Sequence, residues 1–171
     1  VLFLFCQGAE SGFGGWIYVV AGELGFSDAQ SAQLLSGFWG AFTIGRVLSI
    51  VVATRVAPSL MLTIDLLGAM ASVAVLLLAR GSAGVWVGSL ALGLSLASVF
   101  PAALALAGER VRLTGAVTSR LFVGASLGTI TVPWLLGLCL QLGPQALLLA
   151  ILLDLAIAAL IFLLIALRLR T

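Results

Sequence analysis

The stretch GAESGFGGWIYV, residues 8–19, sets one carboxylate, Glu10, among four glycines inside a run that is otherwise hydrocarbon. An acid in a segment that apolar is not cheaply solvated in lipid, and such acids usually face a cavity or a partner. Each glycine also weakens a helix by roughly 0.5–1 kcal/mol relative to alanine. Both features therefore need a use, and the rest of the chain says of what kind.

Of 171 residues, 63% are hydrophobic and only 8% charged, against about 25% charged in a soluble domain. So few charges cannot cover a water-facing surface, so the fold class is all-α integral membrane. The net charge of +2 gathers into no basic patch, which excludes a nucleic-acid partner. Cys6 and Cys139 lie in apolar runs, where free thiols act as small hydrophobes. The opening VLFLFCQ has neither an initiator Met nor a basic n-region, so it reads as a fragment cut in or just before a helix, not as a signal peptide.

A span needs about 20 apolar residues, and six segments qualify: 1–22, 32–54, 59–79, 83–107, 118–142 and 146–167. The breaks read GELGFSDAQS (22–31), TRVAP (54–58), RGS (80–82), GERVRLTGAV (108–117) and GPQ (143–145), rich in turn residues. The second and fourth breaks and the C-terminus hold Arg55, Arg110, Arg112, Arg168 and Arg170, with Arg120 just beyond. The other breaks hold only Arg80, beside Glu23 and Asp28. Arginine excess marks the cytoplasmic side, so both termini are expected there in this multi-pass protein.

Six segments divide into two triplets of opposite direction, a 3+3 inverted repeat. Corresponding helices interrupted by Gly or Pro point to a binding site in such repeats. The first segment has Gly8, Gly12, Gly14 and Gly15; the fourth has Gly88, Gly93 and Pro101. Glu10 and Ser95 then lie roughly 15–20 Å deep at 1.5 Å per residue. The helical period groups Phe3, Gln7, Glu10, Gly14 and Tyr18 on the first segment, and Ala91, Ser95, Ser98 and Ala102 on the fourth. The fifth has a polar strip of Ser119, Phe122, Ser126, Thr129 and Pro133, and a small-residue seam of Gly124 and Gly128. The strip could line an aqueous path; the plainer reading is that its hydroxyls bond their own helix.

Arg46 and Asp65 lie at depths differing by about 3 Å on either side of the second break. Pairing would offset an insertion cost of about 2.5–3.5 kcal/mol each, so they are expected as an ion pair that fixes the hairpin or latches a cytoplasmic gate. Glu10 then has no matching arginine. It is free to bind a proton, coordinate sodium or accept a hydrogen bond from a hydroxyl; the plainer reading is a protonated acid bonded to a carbonyl. Asp154 has no partner by depth and is expected to face another helix.

The pentad GASLG, 124–128, matches the G-x-S-x-G pattern of hydrolases. A serine nucleophile needs a base, and the chain has no His and no Lys. Two distant cysteines without histidine make no zinc site. No enzyme, metal site or bound cofactor is expected.

GAESGFGGWIYVVA (8–21), GFWGAFTIGR (37–46), LGLSLASVFPAALALAGERVRLTG (92–115) and GASLGTITVPWLLG (124–137) together resemble the C-terminal half of major facilitator superfamily transporters. The similarity is to the fucose-permease-like branch that includes sodium-dependent glucose transporter relatives. It implies half of a twelve-helix fold in which the first and fourth helices line a cavity, Gln7, Glu10, Ser95 and Ser98 face the substrate path, and Arg46 belongs to the cytoplasmic gating region. It also implies monosaccharide transport coupled to H+ or Na+. With the face analysis, the candidate substrate and ion-binding set is Gln7, Glu10, Gly14, Tyr18, Ser95, Ser98 and Ser126. The expected partners are a small-molecule substrate, a sugar, the lipid bilayer, and the missing N-terminal six-helix half or a second copy. The alternative is a stand-alone six-helix protein that oligomerises as a channel or scaffold.

Overall fold

The computed structural model describes residues 1–168, and the side chains of all of these except Arg110 and Arg168. Arg170, counted above for orientation, lies outside the described residues. The helices are α1 (Leu2–Glu23), α2 (Asp28–Val52), α3 (Pro58–Leu78), α4 (Ser82–Leu96), α5 (Val99–Arg110), α6 (Gly115–Leu140) and α7 (Pro144–Arg168), and no strand occurs among the described residues. The expected segments are all here, with the fourth divided in two.

Five helical rods are long and apolar enough to cross a bilayer: α2, α3, the α4–α5 rod from Ser82 to Glu109, α6 and α7. With its 22 residues, α1 has the length, about 33 Å at 1.5 Å per residue. Gln7, Glu10 and its glycines dilute its apolarity.

The first connection is shorter than the expected 22–31, because local chemistry extends both helices into it. Ser27 caps α2: its Oγ accepts from the Gln30 N–H at 3.4 Å, and the Gln30 side chain accepts from the Ser27 N–H at 3.0 Å. This reciprocal capping box starts α2 at Asp28, and Gly25 takes the left-handed turn between the helices at φ +89°. Pro58 opens α3, where its missing N–H costs nothing.

The fourth rod breaks at residues 97–98. Pro101 has no N–H to return to the carbonyl of Ala97, and regular helix resumes when Ala102 donates to the Ser98 carbonyl at 2.9 Å. By contrast α1 runs unbroken through all its glycines. Three of those glycines, Gly8, Gly12 and Gly14, serve contact: a Cβ on Gly8 or Gly12 would drive into Val132 or Leu136 of α6, and on the α6 side one on Gly128 would drive into the Leu4 main-chain carbonyl. The expected Gly128 seam thus has α1 as its partner, and Gly124 faces Phe3 across it.

The rods pack with α1 inside, against α6, α7 and α2. Although joined by residues 53–57, α2 and α3 do not pack on each other; α4 lies between and contacts both. Glycines allow it in. Gly93 lies where a Cβ would stand 2.6 Å from the Phe38 carbonyl of α2, and Gly88 where one would meet Leu76 of α3. Phe13, Phe38, Leu66, Leu92 and Ile151 are among the fully buried residues of the core.

Candidate functional site

Gly14 decides which residue meets Glu10. Its bare Cα lets Trp39 and Phe38 of α2 close on α1, and the Phe13 and Phe38 rings meet edge to face at 5.1 Å. The helices are antiparallel, so one turn back along α1 from Gly14 to Glu10 is one turn on along α2, to the level of Phe42, and the long side chain of Arg46 covers the further turn. Arg46 Nη2 stands 3.8 Å from Glu10 Oε2, with side-chain exposures of 40% and 12%. The guanidinium also lies over the Phe42 ring at 4.8 Å, an additional attraction for the cation. Gln7, one turn from Glu10, faces the same carboxylate.

The expected Arg46–Asp65 pair does not form. Matched depth is one coordinate of three, and α4 stands between the helices that carry the two residues. The expectation that Glu10 has no arginine falls with it. Asp65 instead accepts a hydrogen bond from the Ser98 hydroxyl, at 2.7 Å to Oδ2. Both are buried, at 8% and 6% exposure. They line a cleft of about 320 Å³ with Gly45, Ser49, Met61 and Leu94, in the space left because α2 and α3 do not meet.

The remaining candidates are scattered. Ser95 packs on α3, where a Cβ on Gly68 would stand 2.7 Å from its Oγ. Tyr18 is exposed near the end of α1, and Ser126 is exposed on α6. On the α6 strip the hydroxyls of Ser119 and Thr129 donate to the carbonyls of Gly115 and Ser126 at 2.7 and 2.8 Å, as the plainer reading had it.

The contacts of Trp16 were missed in the sequence. The Trp16 Nε1–H donates to the Pro133 carbonyl at 2.8 Å, tying α1 to α6. The Trp16 ring lies against Gly137, one turn beyond Pro133, a glycine the seam reading left out. Asp154 is 7% exposed, and its Oδ2 has no hydrogen-bond partner among the described residues. It lines a groove of about 580 Å³ with Leu4, Phe5 and Val132, between α1, α6 and α7.

No family model matches the chain, and no solved structure matches it. Similar proteins do. Major facilitator superfamily domain-containing protein 4A of Xenopus tropicalis is 35% identical over 144 residues, covering 82% of this chain and 29% of that protein. The mouse protein of the same name is 34% identical over 136 residues, 79% of this chain and 26% of its own length. Sodium-dependent glucose transporter 1 of Xenopus laevis is 33% identical over 136 residues, 77% of this chain and 28% of that protein. The chain thus spans under a third of the length of these relatives. Resemblance over about four fifths of its own length, carried by two differently named groups of relatives, shows that the chain belongs to the major facilitator superfamily.

Proposed function

We propose that this chain is the C-terminal six-helix half of a secondary active transporter. It moves a monosaccharide by alternating access and couples that movement to H+ or Na+. The observation that carries the reading is the Glu10–Arg46 contact, a carboxylate with one exposed cationic neighbour on the face of α1 that also presents Gln7. A carboxylate so placed can accept hydrogen bonds from sugar hydroxyls while Arg46 balances its charge. Of the remaining candidates, Tyr18 and Ser126 are exposed and available to the solute path, while Gly14, Ser95 and Ser98 are engaged in helix contacts. The names of the relatives, which include sodium-dependent glucose transporters, support the solute class and the ion.

In this reading α1 and the α4–α5 rod line the cavity, the six helices form two inverted triplets, and both termini are cytoplasmic. The partner is a second six-helix half, N-terminal in the same protein or supplied by another copy. The exposed apolar side chains of α2 and α6, such as Val47, Ile50, Ile130 and Trp134, suit contact with that half or with lipid.

Uptake of labelled monosaccharides by vesicles containing the full-length protein tests the reading. The Glu10→Gln variant should lose about tenfold or more of uptake at equal protein level, a deficit of about 1.4 kcal/mol. Unchanged uptake and unchanged ion dependence would remove Glu10 from the mechanism. Failure to take up any monosaccharide would refute the solute class.

A further inference from the structure

We propose that the groove between α1, α6 and α7 binds a hydrophobic amine, an apolar molecule carrying a single protonated nitrogen. The site stands apart from the transport reading above, since it shares no residue with the face of Glu10 and Arg46.

Three helices make the groove. Ala150, Asp154 and Ile157 recur at spacings of four and three, so they share one face of α7. Thr131 and Leu135, one turn apart, line it from α6, and Leu4 and Phe5 line it from α1. Ala150 is the small member of its stripe and leaves room one turn from the carboxyl. The volume, about 580 Å³, falls within the range of small-molecule sites, about 300–1,000 Å³. Asp154 lies ten residues into α7, roughly 15 Å from its start at 1.5 Å per residue. That is the middle of a hydrocarbon core about 30 Å thick, deeper than a phospholipid headgroup sits. The occupant is therefore a molecule that enters the membrane whole.

The polar groups of the groove define the ligand. Apart from Asp154, Thr131 and the thiol of Cys139, the lining side chains are hydrocarbon. The Thr131 hydroxyl donates to the Leu127 carbonyl at 2.7 Å, so its oxygen keeps lone pairs but has no proton left to give. Asp154 is 7% exposed, and its Oδ2 has no hydrogen-bond partner among the described residues. No arginine lines the groove. Glu10 has Arg46 and Asp65 has the Ser98 hydroxyl, which leaves Asp154 as the membrane carboxylate in need of a donor. Both polar oxygens accept, so a ligand that satisfies them must donate. One negative charge calls for one positive charge, and a charge-assisted hydrogen bond is strong in such a medium. A bare metal ion would find two side-chain oxygens and otherwise apolar walls. An amine brings its own apolar body to fill the rest.

The test is thermal unfolding of the full-length protein in detergent with 1-adamantylamine, a compact cage bearing one ammonium, and with 1-adamantanol, the same cage without the charge. A ligand that binds only the folded state raises the melting temperature with its occupancy. The amine should act on the wild type at a half-effect concentration about tenfold below that of the alcohol, and Asp154→Asn should abolish this advantage. Thr131→Val, which keeps the shape and the carboxylate, should raise the amine concentration about fivefold, the effect of losing one hydrogen bond. Ala150→Leu fills the space and should weaken both ligands. Asp65→Asn, a change at another buried acid, should leave the advantage in place. The proposal is overturned by equal action of amine and alcohol on the wild type, or by no action of either, as when the rest of the full-length protein covers the groove. It is also overturned if Asp154→Asn keeps the advantage or Asp65→Asn loses it. If Asp154→Asn does not fold, Thr131→Val and Ala150→Leu decide, and an amine concentration unmoved in both overturns the site.

Discussion

Replacing Arg46 with Gln leaves the Glu10 carboxylate, 12% exposed, facing a neutral side chain. At 3.8 Å the lost attraction is about 4 kcal/mol at an effective dielectric of about 20 and about 1 kcal/mol in water. Arg46 is 40% exposed, which draws the value toward the lower limit, so a loss of about 2 kcal/mol is expected. Glu10→Gln should cost less, because the cation left behind is the more exposed of the two and still has the Phe42 ring. The double variant should recover most of the Arg46→Gln loss, giving a coupling of about 1.5 kcal/mol, within the usual range for contacting residues. The assay is the thermal midpoint of each purified variant in detergent, with Asp65→Asn crossed against Arg46→Gln as the comparison. Strict additivity of the Glu10 and Arg46 changes, or coupling of Arg46 to Asp65 in their place, would refute the assignment.

Gly128→Ala should destabilise by about 1–3 kcal/mol, as overpacking does, because its Cβ would strike the Leu4 main chain. Gly15→Ala, with nothing near it, should be neutral or stabilise by up to about 1 kcal/mol; the same melting assay reads both. Trp16→Phe removes the hydrogen bond to Pro133 and should cost about 1 kcal/mol, with a matching loss of protection from proteolysis. Asp154→Leu removes a buried acid whose Oδ2 has no partner among the described residues and should melt no lower than wild type, since apolar replacement of a poorly satisfied polar group is neutral or stabilising; a drop of several degrees would show that the carboxyl has a partner.

The helices were legible in the sequence because lipid imposes a length and a composition on each. Three connections fell close to their expected places, since Pro58, Gly143 and their neighbours are turn residues whatever the tertiary structure; the fourth, expected over 108–117, is only 111–114 because α5 runs to Arg110 and α6 starts at Gly115. The first was misjudged through the Ser27–Gln30 capping box, which is readable as Ser-x-x-Gln but lies inside a polar run that looks like loop. Pro101 announced an interruption of the fourth rod, and the structure puts it at residues 97–98, one turn upstream, where the missing N–H would have acted. The charge pairing was not legible. Counting residues from a turn gives depth, whereas lateral neighbours depend on where small residues admit another helix, and Gly14, Gly88 and Gly93 have no signature that names their partners. The Gly8 and Gly12 pair has the same spacing as Gly124 and Gly128 and packs the same interface from the α1 side.

The approach of Gly128 to the Leu4 main chain also has a mechanical meaning. With Gly8, Gly12 and Gly137 on the same interface, each receiving a side chain of the facing helix, and Trp16 bonded across it, α1 and α6 are joined along most of their length. Sliding one against the other would drive the Leu4 main chain past Gly128 and pull Val132, Leu136 and Trp16 out of the notches that Gly8, Gly12 and Gly137 leave, so the pair behaves as a single beam. The compliance needed for any large rearrangement of this chain must then be found elsewhere: in the open seam between α2 and α3, and in the rod whose own ladder is already cut at Pro101.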